Sequence, residues 1–332
     1  MSIAVRPAEV TDLDTVVDLL IADAMRRQET DPLFWKVKAD PRAKVLPLVR
    51  AFLAAESRRV YQELLLAEAD GGVVGIANVL VLPVPPIYAG GSLGPPGIIL
   101  EACFVTDDAP EGTYQALVEA AETDLRRAGA ETLLAQSAAG GDLEREYVRR
   151  GYEPLTLYLA KTRLRKASGS PAIRKANDDD IANIVTASAE HRRILNHLNV
   201  FWKPSDAADT HFANWMRKSL TLDDRDMFVC ESDDAFHGYA IAQPATHLHF
   251  PLPHDIGAIG VIDDFYHVDL RDPSALPEET TCGAELFRAA EAALEARGYD
   301  AAFAVCPAAW TSKTALLEAA GYRNAMTWLK KR

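Results

Sequence analysis

Two carboxylates sit in the middle of strand-forming runs. Glu101 lies within IILEACFV, residues 98–105, and Asp264 lies beside Asp263 within VIDDFYHV, residues 261–268. A carboxylate on such a strand could deprotonate an ammonium, directly or through water. The alternative is a structural ion pair with an arginine, since such pairs mimic sites. Beyond each strand a glycine stands near an expected helix start: Gly112 in Ala109-Pro110-Glu111-Gly112-Thr113-Tyr114, and Gly283 in Glu278-Glu279-Thr280-Thr281-Cys282-Gly283. Successive N–H groups at a helix start form a nest for an anion, and glycine permits close approach. Acidic neighbours oppose this: Asp108-Ala109-Pro110-Glu111 reads as a capping box, and a dianion beside two carboxylates costs on the order of several kcal/mol. All eight histidines fall in the second half. His247 and His249 share one strand face, and His254 and His267 could approach them. No acidic or cysteine ligand has a fixed spacing to the pair, so polar cleft lining or a surface position is the expectation, and no metal is expected.

These residues need elements to position them. After the first strand the pattern predicts a helix over Tyr114–Arg127, closed by Gly129, and then a strand LLAQ. After the second, Leu286, Phe287, Ala290, Ala293 and Leu294 share a helical face, Gly298 closes it, and Ala301–Val305 follows as a strand. Gly151-Tyr152 and Gly321-Tyr322 end the two copies. The upstream segments repeat as well. Ile3-Ala4-Val5 with Arg6 matches Ala172-Ile173 with Arg174, and the helix begun at Asp12 matches the one begun at Asp178-Asp179-Asp180. Arg26-Arg27 ahead of Phe34-Trp35-Lys36 recurs as Arg192-Arg193 ahead of Phe201-Trp202-Lys203, and both arginine pairs read as solvated or ion-paired faces. Gly75 matches Gly238, and Val105 matches Val268. Order, spacing and residue type make this an internal duplication of about 165 residues. It predicts one domain over 1–165, a polar linker at 166–172 and a second domain over 173–332. Each copy is rich in hairpins and closes with βαβα, which is an α+β class with a mixed sheet.

Composition narrows the function. The chain of 332 residues is 48% hydrophobic, enough for two cores, and carries a net charge of −13. That charge disfavours a nucleic-acid backbone or an anionic membrane as partner. The amphipathic start with Asp12 and Asp14 is unlike a signal peptide, and no apolar run approaches spanning length. Cys103, Cys230, Cys282 and Cys306 form no CxxC pair; Cys103 and Cys230 read as plain core residues, and a reducing cytoplasm is the expected location.

Each half resembles the GNAT acyltransferase superfamily over nearly its full length. The resemblance rests on the opening strand-Arg-helix, the glycine-containing hairpin, the strand-loop-helix, the Gly-aromatic exit and Asp264-Phe265-Tyr266. It implies two tandem GNAT-like domains, each a mixed, mostly antiparallel twisted sheet flanked by helices. The two would pack as a pseudo-dimer within the chain, with a homodimer allowed. It implies a coenzyme A-dependent N-acyltransferase moving an acyl group, usually acetyl from acetyl-CoA, to a small-molecule or peptide amine. Main-strand N–H groups would stabilise the oxyanion.

The family's phosphate loop reads Gln/Arg-x-x-Gly-x-Gly/Ala, and both copies depart from it. Tyr114 stands where the first copy should have a glycine; Glu278 and Thr281 are the departures in the second. On this comparison the second loop is the preferred cofactor site, with Val268, Thr280, Thr281, Cys282, Gly283 and Ala284 around the carrier, Arg271 nearby and Asp264 as base. The first would use Val105, Gly112, Glu101 and Tyr147. Tyr147 stands where the family places a tyrosine that protonates the leaving thiolate; otherwise it is an ordinary amphipathic-helix tyrosine. Its counterpart Leu317 cannot donate a proton. The Phe-Trp-Lys motifs lie where the family's helices roof the acceptor cleft, or they are staple packing. The rival reading is a catalytically degenerate ligand-binding or sensing protein.

Overall fold

The computed structural model describes residues 2–88, 94–165, 170–233, 235–247, 250–275 and 281–331. The first copy runs β1 (Ala4–Pro7), α1 (Leu13–Thr30), α2 (Pro41–Leu53), β2 (Gln62–Ala69), β3 (Gly72–Val81), β4 (Pro96–Val105), α3 (Thr113–Arg127), β5 (Thr132–Ala138), α4 (Asp142–Arg149) and β6 (Glu153–Thr162). The second repeats it: β7 (Ile173–Lys175), α5 (Ile181–Leu198), α6 (Ala208–Leu220), β8 (Asp226–Ser232), β9 (Ala235–Pro244), β10 (Ile259–His267), α7 (Cys282–Ala296), β11 (Ala301–Pro307), α8 (Thr311–Ala319) and β12 (Arg323–Lys331). Of the expected linker, residues 166–169 lie outside the described residues.

The repeated local signals have repeated physical causes. Arg6 binds Asp12 at 2.7 Å, and Arg174 binds Asp180 at 2.7 Å. Each pair ties the end of the opening strand to the start of the following helix. Gly151 (φ +83°) and Gly321 (φ +90°) take the left-handed conformation that ends α4 and α8. The next residue then bonds back across the turn, Tyr152 N–H to Tyr147 O and Tyr322 N–H to Leu317 O, both at 3.0 Å. Both exit tyrosines are thereby buried.

All twelve strands form one sheet in the order β1-β2-β3-β4-β5-β12-β6-β11-β10-β9-β8-β7. The order is symmetric about the β12–β6 pair, and the last strand of each copy is exchanged. β12 pairs with β5 from Met326↔Ala138 to Lys331↔Leu133, while β6 pairs with β11 from Thr162↔Ala301 to Thr156↔Pro307. α3 packs Leu117, Val118, Ala121 and Leu125 into one first-copy core; α1 and α2 pack Val16, Val17, Leu20, Val45 and Val49 into another. A third core of Phe34, Trp35, Phe250, Phe303 and Trp328 joins the copies.

Two local expectations need correction. β10 starts two residues earlier than expected and ends at His267, after which Val268–Leu270 form a single 3-10 turn. Asp108 and Glu111 do not cap α3: its N-cap is Gly112, at φ +90° and with no side-chain cap bond. The left-handed residue turns the chain into the helix, so the acidic pair lies upstream of it.

Candidate functional site

The duplicated site begins where two parallel strands part. β4 and β5 pair only from Pro96↔Thr132 to Ile99↔Ala135, although β4 continues along β3 to Val105. β10 and β11 pair only from Ile259↔Ala301 to Ile262↔Ala304. Each main strand also has a register shift here, between Ile99 and Cys103 on β4 and between Ile262 and Phe265 on β10. Glu101 and Asp264 lie within those shifts, where a bulge re-aims side chains.

In the first copy Glu101 is 2% exposed. Its Oε1 pairs with the Arg27 guanidinium, which also holds Asp23 at 2.9 Å and the Glu101 carbonyl at 2.7 Å. Oε2 is buried with no partner among the described residues. Glu101 lines a cavity of about 360 Å³ together with Asn78, Gln136, His247, Phe250 and Leu252. The opposite face of the parting strands holds Tyr147 against Cys103. The tyrosine is fully buried, and burial raises its hydroxyl well above the ordinary phenol value. The same burial pushes the Cys103 thiol up to about 12. Outside them opens a crevice of about 470 Å³ between Val105, Gly112 and Tyr114 on one side and Arg145 and Arg149 of α4 on the other. An added Cβ on Gly112 would meet nothing within 4 Å.

The second copy is built differently. Asp264 Oδ1 accepts from Tyr239 OH at 2.8 Å and lies 3.3 Å from His191 Nδ1. Burial would raise this carboxyl, but the His191 and Tyr239 contacts prevail and hold it below the usual range. Burial, followed by the charge of Lys313, lowers the His191 imidazole. Its Nε2 is buried without a partner among the described residues. Asp263 opens into the adjoining cavity; the surrounding protein, then the Asp264 charge, pushes it up to about 6. The cavity measures about 400 Å³ and has walls of Tyr88, Phe201, Trp202 and Trp215.

Where the second pair of strands parts, the opening is filled. Lys313, 2% exposed, donates to the Phe265 carbonyl at 2.7 Å, and fully buried Trp310 donates to the Leu270 carbonyl at 3.1 Å. The expected phosphate nest is also engaged. Gly283 N–H points at Asp269 Oδ2 at 3.3 Å, and Ala284 N–H goes to Thr281 Oγ1 at 3.2 Å. Cys282 is joined to Cys230 as a disulfide. A carboxylate already stands where a phosphate would sit, so these residues do not fit the carrier. Arg271 is bound to Glu190 at 2.6 Å, and Thr280 lies outside the described residues. The first copy keeps an open crevice, lined by Arg145 and Arg149 in ion pairs with Asp142 and Glu146 and by Glu111, whereas in the second copy Asp269 faces the Gly283 amide.

Other candidates fall elsewhere. Cys230 is buried but bonded, not a plain core residue. His254 gives Nδ1 to the Trp35 carbonyl at 2.9 Å, and burial lowers it to about 4; His249 lies outside the described residues. Phe34 and Trp35 are core, whereas Phe201 and Trp202 do line the second cavity. Arg27 and Arg192 are buried ion pairs rather than solvated faces, Arg192 holding Asp209 at 2.5 Å. His191, Tyr239, Lys313 and Trp310 were not singled out from the sequence. A signal for one existed, because the duplication sets His191 opposite Asp23.

No family model matches the sequence, and no curated protein sequence matches it. Solved structures do. A tandem GNAT protein from the clavulanic acid biosynthesis pathway, solved without AcCoA, is 12% identical, over 99% of this chain and 98% of that one, with a TM-score of 0.51. A GCN5-related N-acetyltransferase from Sphaerobacter thermophilus is 16% identical, over 99% of this chain and 95% of that one, with a TM-score of 0.55. No helix among the described residues is long and apolar enough to cross a membrane. At these identities the likeness speaks for the scaffold, and the parted parallel strands in both copies agree with it: the chain has the tandem GNAT fold.

Proposed function

We propose that the chain is an N-acyltransferase drawing an acyl group, acetyl in the simplest case, from a coenzyme A thioester for a small amine, with the transfer centre in the first copy. The observation that carries this reading is the two-sided opening beyond Ile99 and Ala135. Glu101 lines a cavity on one face, and Tyr147 lies on the other with the Gly112 crevice outside it. The bound thioester would supply the activated acyl group. Arg145 and Arg149, which would have to leave Asp142 and Glu146, and the first-turn N–H groups of α3 serve its phosphates. Glu101 holds the ammonium and takes its proton at Oε2, while β4 N–H groups beyond Ile99 face the acyl oxygen. Tyr147 keeps a proton at its hydroxyl for the departing sulfur, and its raised pKa favours that protonated state. A cavity of about 360 Å³ suits a small acceptor better than a folded protein surface.

The ligand-binding alternative has its own support, since the second copy is filled where a thioester would enter yet keeps an aromatic cavity with two carboxylates. Calorimetry and thermal shift with acetyl-CoA separate the two. Binding that weakens tenfold or more in the Arg145→Glu/Arg149→Glu variant fits the transferase reading. Neither heat nor shift at millimolar acetyl-CoA rejects it and leaves the ligand-binding one.

A further inference from the structure

The second copy carries a cluster that neither the transfer centre nor the aromatic cavity uses. Cys230 on β8 pairs with Gly238 on β9, and Gly238 pairs with His267 on β10, so the three lie in one row across the sheet. Cys282, the first residue of α7, completes the group. The two sulfurs and a ring nitrogen of His267 lie within 4.8 Å of one another.

The surroundings look built for this. His267 is 2% exposed. Its Nδ1 accepts the Asp269 N–H at 3.2 Å and lies 3.1 Å from the Asp269 carboxylate; with the ring proton moved to Nδ1 the imidazole donates to that carboxylate instead and bares the Nε2 lone pair. Its Nε2 is buried with no partner among the described residues. A carboxylate behind one imidazole nitrogen, fixing the ring so that the other is presented, is how metal-binding histidines are oriented. Gly238 has no side chain to spare: an added Cβ would stand 2.3 Å from the Tyr266 carbonyl and 2.9 Å from the His267 ring. The Cα atoms of Cys230 and Cys282 are 7.2 Å apart. That is wider than the roughly 4.4–6.8 Å of most disulfides, and it accommodates two thiolates converging on an ion.

We propose that Cys230 Sγ, Cys282 Sγ and His267 Nε2 of the reduced chain bind one zinc ion, with water in the fourth position. Two thiolates and an imidazole are a zinc-type donor set, with bonds of about 2.3 Å to sulfur and about 2.0 Å to nitrogen. The sulfurs, joined in the oxidised chain, part to about 3.7 Å around a tetrahedral ion. Binding forms two Zn–S bonds and one Zn–N bond and releases the two thiol protons to solvent. No redox change accompanies it. The ion fastens the N-terminus of α7 to β8 and, with the Asp269 carboxylate, keeps the second phosphate nest shut.

The test uses the full chain, purified under a thiol reductant from zinc-supplemented cells, then dialysed and analysed for metal. About one zinc per chain is expected, falling below about one tenth in Cys230→Ser, Cys282→Ser and His267→Gln. Because a variant could fail to fold, the wild-type chain is also treated with a chelator: two thiols should become reactive as the zinc leaves, and the melting temperature should fall. Cobalt in place of zinc should give thiolate-to-metal charge transfer that disappears in Cys282→Ser. A reduced chain that takes up no zinc, zinc content unchanged in folded Cys282→Ser, or a chain from reducing cells with Cys230 and Cys282 linked and metal absent would each overturn the site.

Discussion

His191 Nδ1 lies 3.3 Å from Asp264 Oδ1, at the place where the first copy sets Asp23 and Arg27 around Glu101. One duplicated strand position thus has two electrostatic fates. A guanidinium holds one carboxylate; an imidazole whose Nε2 has no partner among the described residues leans on the other.

Asp263 and His191 should move stability with pH in opposite directions. The Asp263 pKa, about 6, is raised by enclosure and then by Asp264, so between roughly pH 4 and 6 the folded chain keeps a proton that the unfolded chain has lost. Its contribution therefore falls as pH rises through that window. His191 is lowered, so below about pH 6.5 the unfolded chain takes up a proton before the folded one does, and stability falls with acid. Asp263→Asn should raise stability at pH 8 by on the order of 1 kcal/mol, since solvent in the cavity screens the full shift. At pH 4 it should change little. Urea melts at the two pH values check this; an equal effect at both would show that the charge is not the cause.

Lys313→Ala removes the donor to the Phe265 carbonyl and leaves a hole beneath Trp310. Unfolding free energy should drop by about 2–4 kcal/mol. A change below about 0.5 kcal/mol by chemical denaturation would mean that water replaces the amine at no cost.

Tyr147→Phe removes a buried hydroxyl that leans on the Cys103 thiol without a well-formed hydrogen bond. Stability should stay within about 0.5 kcal/mol, or improve slightly. If Tyr147 is the acid of transfer, turnover falls about 100-fold or more. An unchanged rate in a chain proven active would return Tyr147 to the core.

Glu101→Gln leaves Arg27 with Asp23 as its remaining buried charge partner. Loss of one member of such a group costs about 3 kcal/mol, and replacing Arg27 by Met in the same chain should restore part of it. Thermal melts of the wild type, Glu101→Gln, Arg27→Met and the double variant decide the point: additive losses would mean that the two side chains do not interact.

Much of the scaffold was legible in the sequence, because its signals are local. Gly151-Tyr152, Arg6 with Asp12, and the helical face at Leu286 and Phe287 each depend on neighbours a few positions away. The site was less legible, because its decisive contacts are long-range. Nothing near Glu101 announces Arg27, 74 positions earlier, and nothing in the 281–284 segment announces that Asp269 takes the Gly283 amide. The exchanged strands lay beyond reach for the same reason, since β6 and β12 have the same pattern and either could fill either gap. The comparison of copies that revealed the duplication also contained its most informative mismatch, Asp23 against His191.

The trading of β6 and β12 makes the two copies mutually indispensable. A chain cut within 166–172 yields two fragments, each carrying an edge strand that belongs to its sibling and an empty slot beside β5 or β11. Either fragment alone should aggregate or remain unfolded, whereas the two produced together should reassemble. Selection would then act on a single cooperative body, which leaves one copy free to lose its old chemistry while remaining essential as the other's missing wall.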